Sequence, residues 1–273
     1  MKSKFSQTFR HGVCIAVLVL AIGGLQLING QTGVWKNTIA AAVLNDRFYS
    51  VEKNGALYDT DLTTGKWVQI GKPEFGKTKF MFAAGQNLLT IETDGSLYRI
   101  NPSSGGWTAV GDAGAWKGTI AGAFVSGRLC TIESDGVLYS TNPGTGVWAQ
   151  IGKSEFARTQ RLFGTSDALY SIESDGSLYW ISPSDGTWRQ IGEAGGWKNT
   201  IARTTLDGKI YTIETSGALY ETNPATGKWK QIGKAEFAKT RFLFSANGSL
   251  YSLEDGNLYR INQTTGAWAS VVR

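Results

Sequence analysis

Histidine is nearly missing from this sequence: there is one, His11, in 273 residues, with two cysteines, Cys14 and Cys130, and five prolines. His11 and Cys14 both fall in the opening stretch MKSKFSQTFRHGVCIAVLVLAIGG, where Lys2, Lys4 and Arg10 precede an apolar run from Val13 to Ile22. That is the layout of a secretory signal peptide, residues 1–23, with a cut expected after Gly23 and a secreted product, extracellular or periplasmic. An uncleaved anchor is the lesser alternative. The chain beyond the cut has no histidine and one thiol. This excludes a Ser-His-Asp triad, a His-ligated zinc or iron and an intrachain disulfide. No later stretch approaches the roughly 18 apolar residues of a membrane span. The cut removes three of 27 basic residues and none of 22 acidic ones, leaving a balance of +2. A nearly neutral chain without a basic run gives no reason to expect a nucleic-acid partner.

What is abundant is repetition. ESDGSLYWISPSDGTW (173–188) recurs as EKNGALYDTDLTTGKW (52–67), ETDGSLYRINPSSGGW (92–107), ESDGVLYSTNPGTGVW (133–148), ETSGALYETNPATGKW (214–229) and EDGNLYRINQTTGAW (254–268). The closing residues Trp67, Trp107, Trp148, Trp188, Trp229 and Trp268 stand 40, 41, 40, 41 and 39 residues apart. Six copies at that period indicate a propeller or a solenoid. Each copy divides into four short segments, in the fourth copy TQRLFG (159–164), ALYSIE (168–173), SLYWIS (177–182) and TWRQIG (187–192). Gly, Asn, Asp or Pro stand at each junction, which is the pattern of an antiparallel meander.

Leu178, Tyr179, Trp180 and Ile181 run consecutively, so both faces of such a sheet carry apolar groups and both must be covered. Blades packed in a ring achieve this. Helical solenoids are excluded by the missing 3.6-residue period and by 35 glycines. The expected fold is all-β, a six-bladed β-propeller of four-stranded antiparallel blades over residues 35–273, with 24–34 as a possible closing segment. The recurring Trp and the Tyr of the Leu-Tyr pair are expected to pack between blades. Cys130 takes the place of Tyr49, Leu89, Tyr170, Tyr211 and Tyr251 in the other copies, as a buried core thiol would.

The segments joining the copies alternate. Odd copies begin WKNTIA (35–40), WKGTIA (116–121) and WKNTIA (197–202); even copies begin EFGKTKFMF (74–82), EFARTQRLF (155–163) and EFAKTRFLF (236–244). The unit is therefore a blade pair of about 81 residues used three times, a pseudo-threefold repeat. Because each strand reverses direction, the connection into a blade and the turn after its second strand share one face. That face collects Trp35, Phe75, Trp116, Phe156, Trp197 and Phe237 with Glu52, Glu92, Glu133, Glu173, Glu214 and Glu254. Rings plus carboxylates suit a sugar, whose C–H face packs on the ring while its hydroxyls donate to the carboxylates. The same residues serve equally as plugs and turn acceptors, and sequence alone leaves both uses open.

EFAKTRFLFSANGSLYSLEDGNLYRI (236–261) resembles tachylectin-type β-propeller lectins, and the repeat region resembles tectonin-type repeats. The resemblance implies carbohydrate binding in crevices between blades, with the six loop aromatics at the inter-blade position. The expected function is a secreted, multivalent, metal-independent glycan-binding protein without cofactor or catalytic residues, engaging glycans on a cell surface. A protein-binding propeller is the alternative, and a glycosidase or quinoprotein-like enzyme the lesser one. Enzymes on repeat folds break the repeat with unique residues, and no such break stands out among the copies.

Overall fold

The computed structural model describes residues 34–271; the signal-peptide segment and residues 24–33 of the closing segment lie outside them. Twenty-four strands form six separate sheets, each an up-and-down meander of four strands contiguous in sequence. The protein is an all-β, six-bladed propeller. The first strands are Thr38–Leu44, Thr78–Ala84, Thr119–Val125, Thr159–Gly164, Thr200–Leu206 and Thr240–Ala246, opening blades 1 to 6 in that order. In blade 4 the later strands are Leu169–Glu173, Leu178–Ile181 and Trp188–Ile191, within a residue of the segments expected from turn chemistry.

Second strands are almost wholly buried, whereas fourth strands bury only their last apolar residue, as with Ile70, Val110, Ile151, Ile191 and Ile232. Each blade thus grades from a dry interior to a wet rim. The order of the strands explains this, since the outermost has no sheet beyond it.

Blades are joined by one repeated device. The loop aromatic leading into a blade donates its backbone N–H to the carbonyl of a turn glycine in the preceding blade: Phe75 to Gly55, Trp116 to Gly95, Phe156 to Gly136, Trp197 to Gly176 and Phe237 to Gly217, at 2.9–3.0 Å. Trp35 donates to Gly256 of blade 6 at 3.3 Å, so the ring closes by the bond that makes every other joint. Gly95 has φ of +85°, in the left-handed region that glycine occupies without steric cost. The rings themselves are 1–4% exposed. Phe75, for instance, sits among Val51, Leu57 and Ile70 of blade 1 and Met81, Leu88 and Ile100 of blade 2.

The two-blade period has a physical form at the centre. First strands of blades 1 and 2, 3 and 4, and 5 and 6 run close together, while those of 2 and 3, 4 and 5, and 6 and 1 only touch. Small residues line the narrow seams: Ala40 and Ala42 meet Met81 and Ala83, and a Cβ on Gly164 would strike Val125. Rings fill the wide seams. Phe82 lies so near Gly122 that a Cβ there would be 2.7 Å from its Cζ; Phe244 stacks on Phe48 at 4.6 Å and 11°; Phe163 lies under the Arg203 guanidinium at 5.9 Å. Together the first strands enclose a central channel of about 550 Å³.

The closing tryptophans depart from expectation. Trp107, Trp148, Trp188, Trp229 and Trp268 are 46, 52, 45, 60 and 49% exposed, and their partner tyrosines are half-buried. They sit at the start of the rim strand rather than between sheets, and the loop aromatics occupy the inter-blade space instead. Cys130 is fully buried, as expected of a core thiol, and burial pushes its pKa up to about 11, which keeps it protonated and unreactive at neutral pH.

These placements predict opposite outcomes for two sets of tryptophan and phenylalanine variants. Phe75→Ala or Trp116→Ala should cost about 3–5 kcal/mol in denaturant unfolding, whereas Trp148→Ala should stay within about 1 kcal/mol of the parent.

Candidate functional site

The exposed tryptophans do not stand alone. In blades 2 to 6 each meets the tyrosine of its own third strand edge to face: Tyr98 with Trp107, Tyr139 with Trp148, Tyr179 with Trp188, Tyr220 with Trp229 and Tyr259 with Trp268, with centroids 4.9–5.1 Å apart and planes 75–88° to each other. The arrangement follows from register, because Tyr179 pairs with Gln190 and Ile181 with Trp188, leaving the two rings on one side of neighbouring strands. Blade 1 differs. Tyr58 and Trp67 stack at 3.9 Å and 24°, and Trp67 also meets the buried Trp35 at 5.8 Å.

Beside the edge-on pairs of blades 3 and 4 the loop aromatic and the ring carboxylate complete a crevice. In blade 4 it is lined by Glu155, Phe156, Arg158, Glu173, Asp175, Tyr179 and Trp188 and encloses about 160 Å³. In blade 3 Ala115, Trp116, Thr131, Glu133, Tyr139 and Trp148 enclose about 110 Å³. The residues picked from sequence therefore share these crevices in pairs, Phe156 with Glu173 and Trp116 with Glu133. The loop rings lie at the base with almost no free surface, and the rings that face solvent are the closing tryptophans, which sequence reasoning had assigned to packing. Trp35, Phe75, Trp197 and Phe237 are buried in the same way.

The carboxylates are held by a threonine that opens the first strand. Thr38, Thr78, Thr119, Thr159 and Thr240 donate their hydroxyls to Oε1 of Glu52, Glu92, Glu133, Glu173 and Glu254 at 2.6–2.9 Å. Every one of these pairs flanks a slip in register, as between Thr38 and Ala40. Blade 5 has the same pairing of Thr200 with Glu214 and the same slip, yet its threonine hydroxyl is buried without a partner. Burial raises the pKa of Glu52, Glu92, Glu133 and Glu173, with the threonine bond partly offsetting it, and raises Glu214 by burial alone.

Odd and even blades then diverge. In even blades the indole N–H is occupied, donated by Trp107, Trp188 and Trp268 to Oε2 of Glu74, Glu155 and Glu236 at 2.8–3.1 Å. Odd blades have Ala115 and Gly196 where those glutamates stand, so Trp148 and Trp229 keep their N–H for solvent or ligand. Even crevices also carry an exposed ion pair at the mouth, Arg158 with Asp175 at 3.2 Å in blade 4 and Lys239 with Asp255 at 2.8 Å in blade 6. Among the described residues, no group of three or more His, Cys, Asp and Glu side chains is placed to hold a metal.

No family model matches the sequence, and no curated protein does. Solved structures share the fold. The chain is similar to PorZ, a bacterial surface component of the type-IX secretion system of Porphyromonas gingivalis, at TM-score 0.55 and 12% identity over 92% of this chain and 39% of that one. YCF48 bound to D1 peptide matches at TM-score 0.56 and 18% identity, over 84% of this chain and 79% of that one. A Bacteroides thetaiotaomicron protein of unknown function matches at TM-score 0.60 and 15% identity, over 83% and 67%. At these identities the likeness is one of fold. This chain spans well under half the length of PorZ.

The buried carboxylates set a pH dependence. A carboxyl whose folded pKa lies above its ordinary value of 4.5 binds more protons folded than unfolded. Its contribution is present in acid and is lost as pH rises through the raised pKa. The turn carboxylates Asp61, Asp94, Asp175 and Asp185 are lowered from 3.8 by backbone amides, so theirs is lost only as pH falls below that value. Melting temperature should therefore rise as pH is lowered from neutrality towards 4.5 and fall once pH drops below 3.8. Glu92→Gln should flatten the first limb, as scanning calorimetry across that range would record.

Proposed function

We propose that the protein is a secreted, multivalent carbohydrate-binding propeller, without catalytic activity of its own, whose sites are the rim crevices of blades 2 to 6. One observation carries this: a solvent-facing tryptophan, set edge-on to a tyrosine in a blade whose second strand ends in a buried or half-buried carboxylate, recurs in five blades. Large exposed rings repeated at a fixed interval mark a contact surface rather than a folding requirement. An indole face accepts the C–H side of a sugar ring, and phenol, indole N–H and carboxylate supply the polar contacts. At 110–160 Å³ the crevices are smaller than the roughly 300 Å³ at which drug-sized pockets begin, which fits one sugar unit each.

Two classes of site follow from the blade pair. Odd crevices offer a free indole N–H donor, and even ones an indole already bound to glutamate beside a cation. Weak single contacts become useful when several engage one repetitive surface, and the tachylectin and tectonin resemblance is consistent with that mode. Glu92, Glu133, Glu173, Glu214 and Glu254 act in this scheme at the base of the crevices, with Phe75, Trp116, Phe156, Trp197 and Phe237 shaping their floors.

The test is a glycan array followed by retention on a glycan-coated surface. Trp148→Ala alone should weaken retention only a few-fold. Replacing all five exposed tryptophans should weaken it by about 100-fold or more through lost avidity, with little change in melting temperature. Undiminished retention by that variant would move the site elsewhere. Binding to no glycan by the parent, with saturable capture of a peptide or protein, would replace this reading with the protein-binding one.

A further inference from the structure

Within the channel the repeat is broken at one seam. At the third position of the even first strands stand Phe80, Arg161 and Phe242; at the fourth position of the odd ones stand Ala41, Gly122 and Arg203. Both substitutions face the same wide seam, between blades 4 and 5. A phenylalanine and a small residue in the sibling seams have here become two arginines, lining one stretch of the channel.

Among the described residues neither charge has a counter-ion. Arg203 donates Nη2 to the carbonyl of Leu162 at 3.2 Å and lies over Phe163. Its Nε and that of Arg161 are buried without a hydrogen-bond partner. No acidic residue among the described ones lines the channel. Lys79 and Arg241, the other cations there, have backbone acceptors in Thr119, and in Lys36 and Thr38, and feel the carboxylates of Glu133 and Glu52. Arg203 is half-buried in the channel wall, and burial together with the charge of Arg161 lowers its pKa to about 10. It remains a cation at neutral pH, next to a second one. Two adjacent half-buried guanidinium groups without an acid beside them are costly for the fold, and an oxyanion is the complement that planar, forked donors fit.

We propose that the central channel is a binding site for a small organic anion, its phosphate or carboxylate held between Arg161 and Arg203 and its apolar body against the channel wall. The wall is suited to the second part, since Ile39, Ala42, Phe80, Ile120, Phe124 and Ile201 line it. The space of about 550 Å³ lies within the roughly 300–1,000 Å³ of small-molecule sites. This site is separate from the rim crevices, so its fate is independent of the glycan-binding reading.

The sibling blades supply the test variants, because Arg161→Phe and Arg203→Ala install residues that the same fold already carries at the equivalent positions. Inorganic phosphate, phenyl phosphate and benzoate are titrated by calorimetry and thermal shift, against sodium chloride at matched ionic strength. The parent should bind at least one oxyanion and be stabilised by it beyond chloride, phenyl phosphate more tightly than inorganic phosphate. Each single variant should bind at least about tenfold more weakly, the loss expected for a charge-assisted pair. The double variant should not respond, and should melt at or above the parent measured without oxyanion. Preference among the three probes assigns the head group as phosphate or carboxylate. A parent that responds to none of them, or no more than to chloride, overturns the proposal. So does a double variant that binds like the parent. Arg161→Gln, which removes the charge while keeping a polar side chain, repeats the comparison should a restored ring prove too large.

Discussion

Everything in this propeller hangs on a joint of one residue. An aromatic side chain enters the space between two sheets while its own backbone N–H bonds to a glycine carbonyl in the sheet behind it. Burial of the ring supplies the free energy, of order a few kcal/mol for a large apolar side chain, and the hydrogen bond fixes its angle. Six such joints define the spacing of the blades, and the spacing decides what else fits. Where small residues face each other the sheets close up, and where phenylalanines face them they stand apart.

The threonine and glutamate at the head of each blade do a second job beside the joint. The hydroxyl holds one carboxylate oxygen, which permits a charge to be kept near the protein interior at modest cost. A carboxylate held in that way is fixed in one orientation rather than free to rotate among several. Blade 5, which lacks the bond, shows that the fold tolerates its loss.

Much of this was legible in the sequence, because period and turn chemistry are local. Glycine, asparagine and aspartate at fixed intervals placed the blade 4 strands to within a residue, and alternating entry segments announced the blade pair. What was not legible was which of two recurring aromatics lies inside. A tryptophan repeated every forty residues suits a gap between sheets or an outer rim equally, and the rim strand is too short to reveal a burial pattern. The exposed residues Val68, Gln69 and Arg189 around it were the available signal. The arginine pair escaped notice for another reason. Arg161 and Arg203 belong to different blades, and each looks like an ordinary polar position until even strands are compared only with even and odd with odd.

The alternation of seams gives the ring a mechanical character. Three blade pairs, each held together by close backbone approach, meet at three seams whose contact is mostly between side chains. Rings can tilt and slide where packed backbones cannot, so the molecule is a set of three stiff sectors on soft gaskets rather than a uniform hoop. Any widening of its bore falls on the gaskets, and among the described residues the seam between blades 4 and 5 is the one where a cation of one blade lies on a ring of the next.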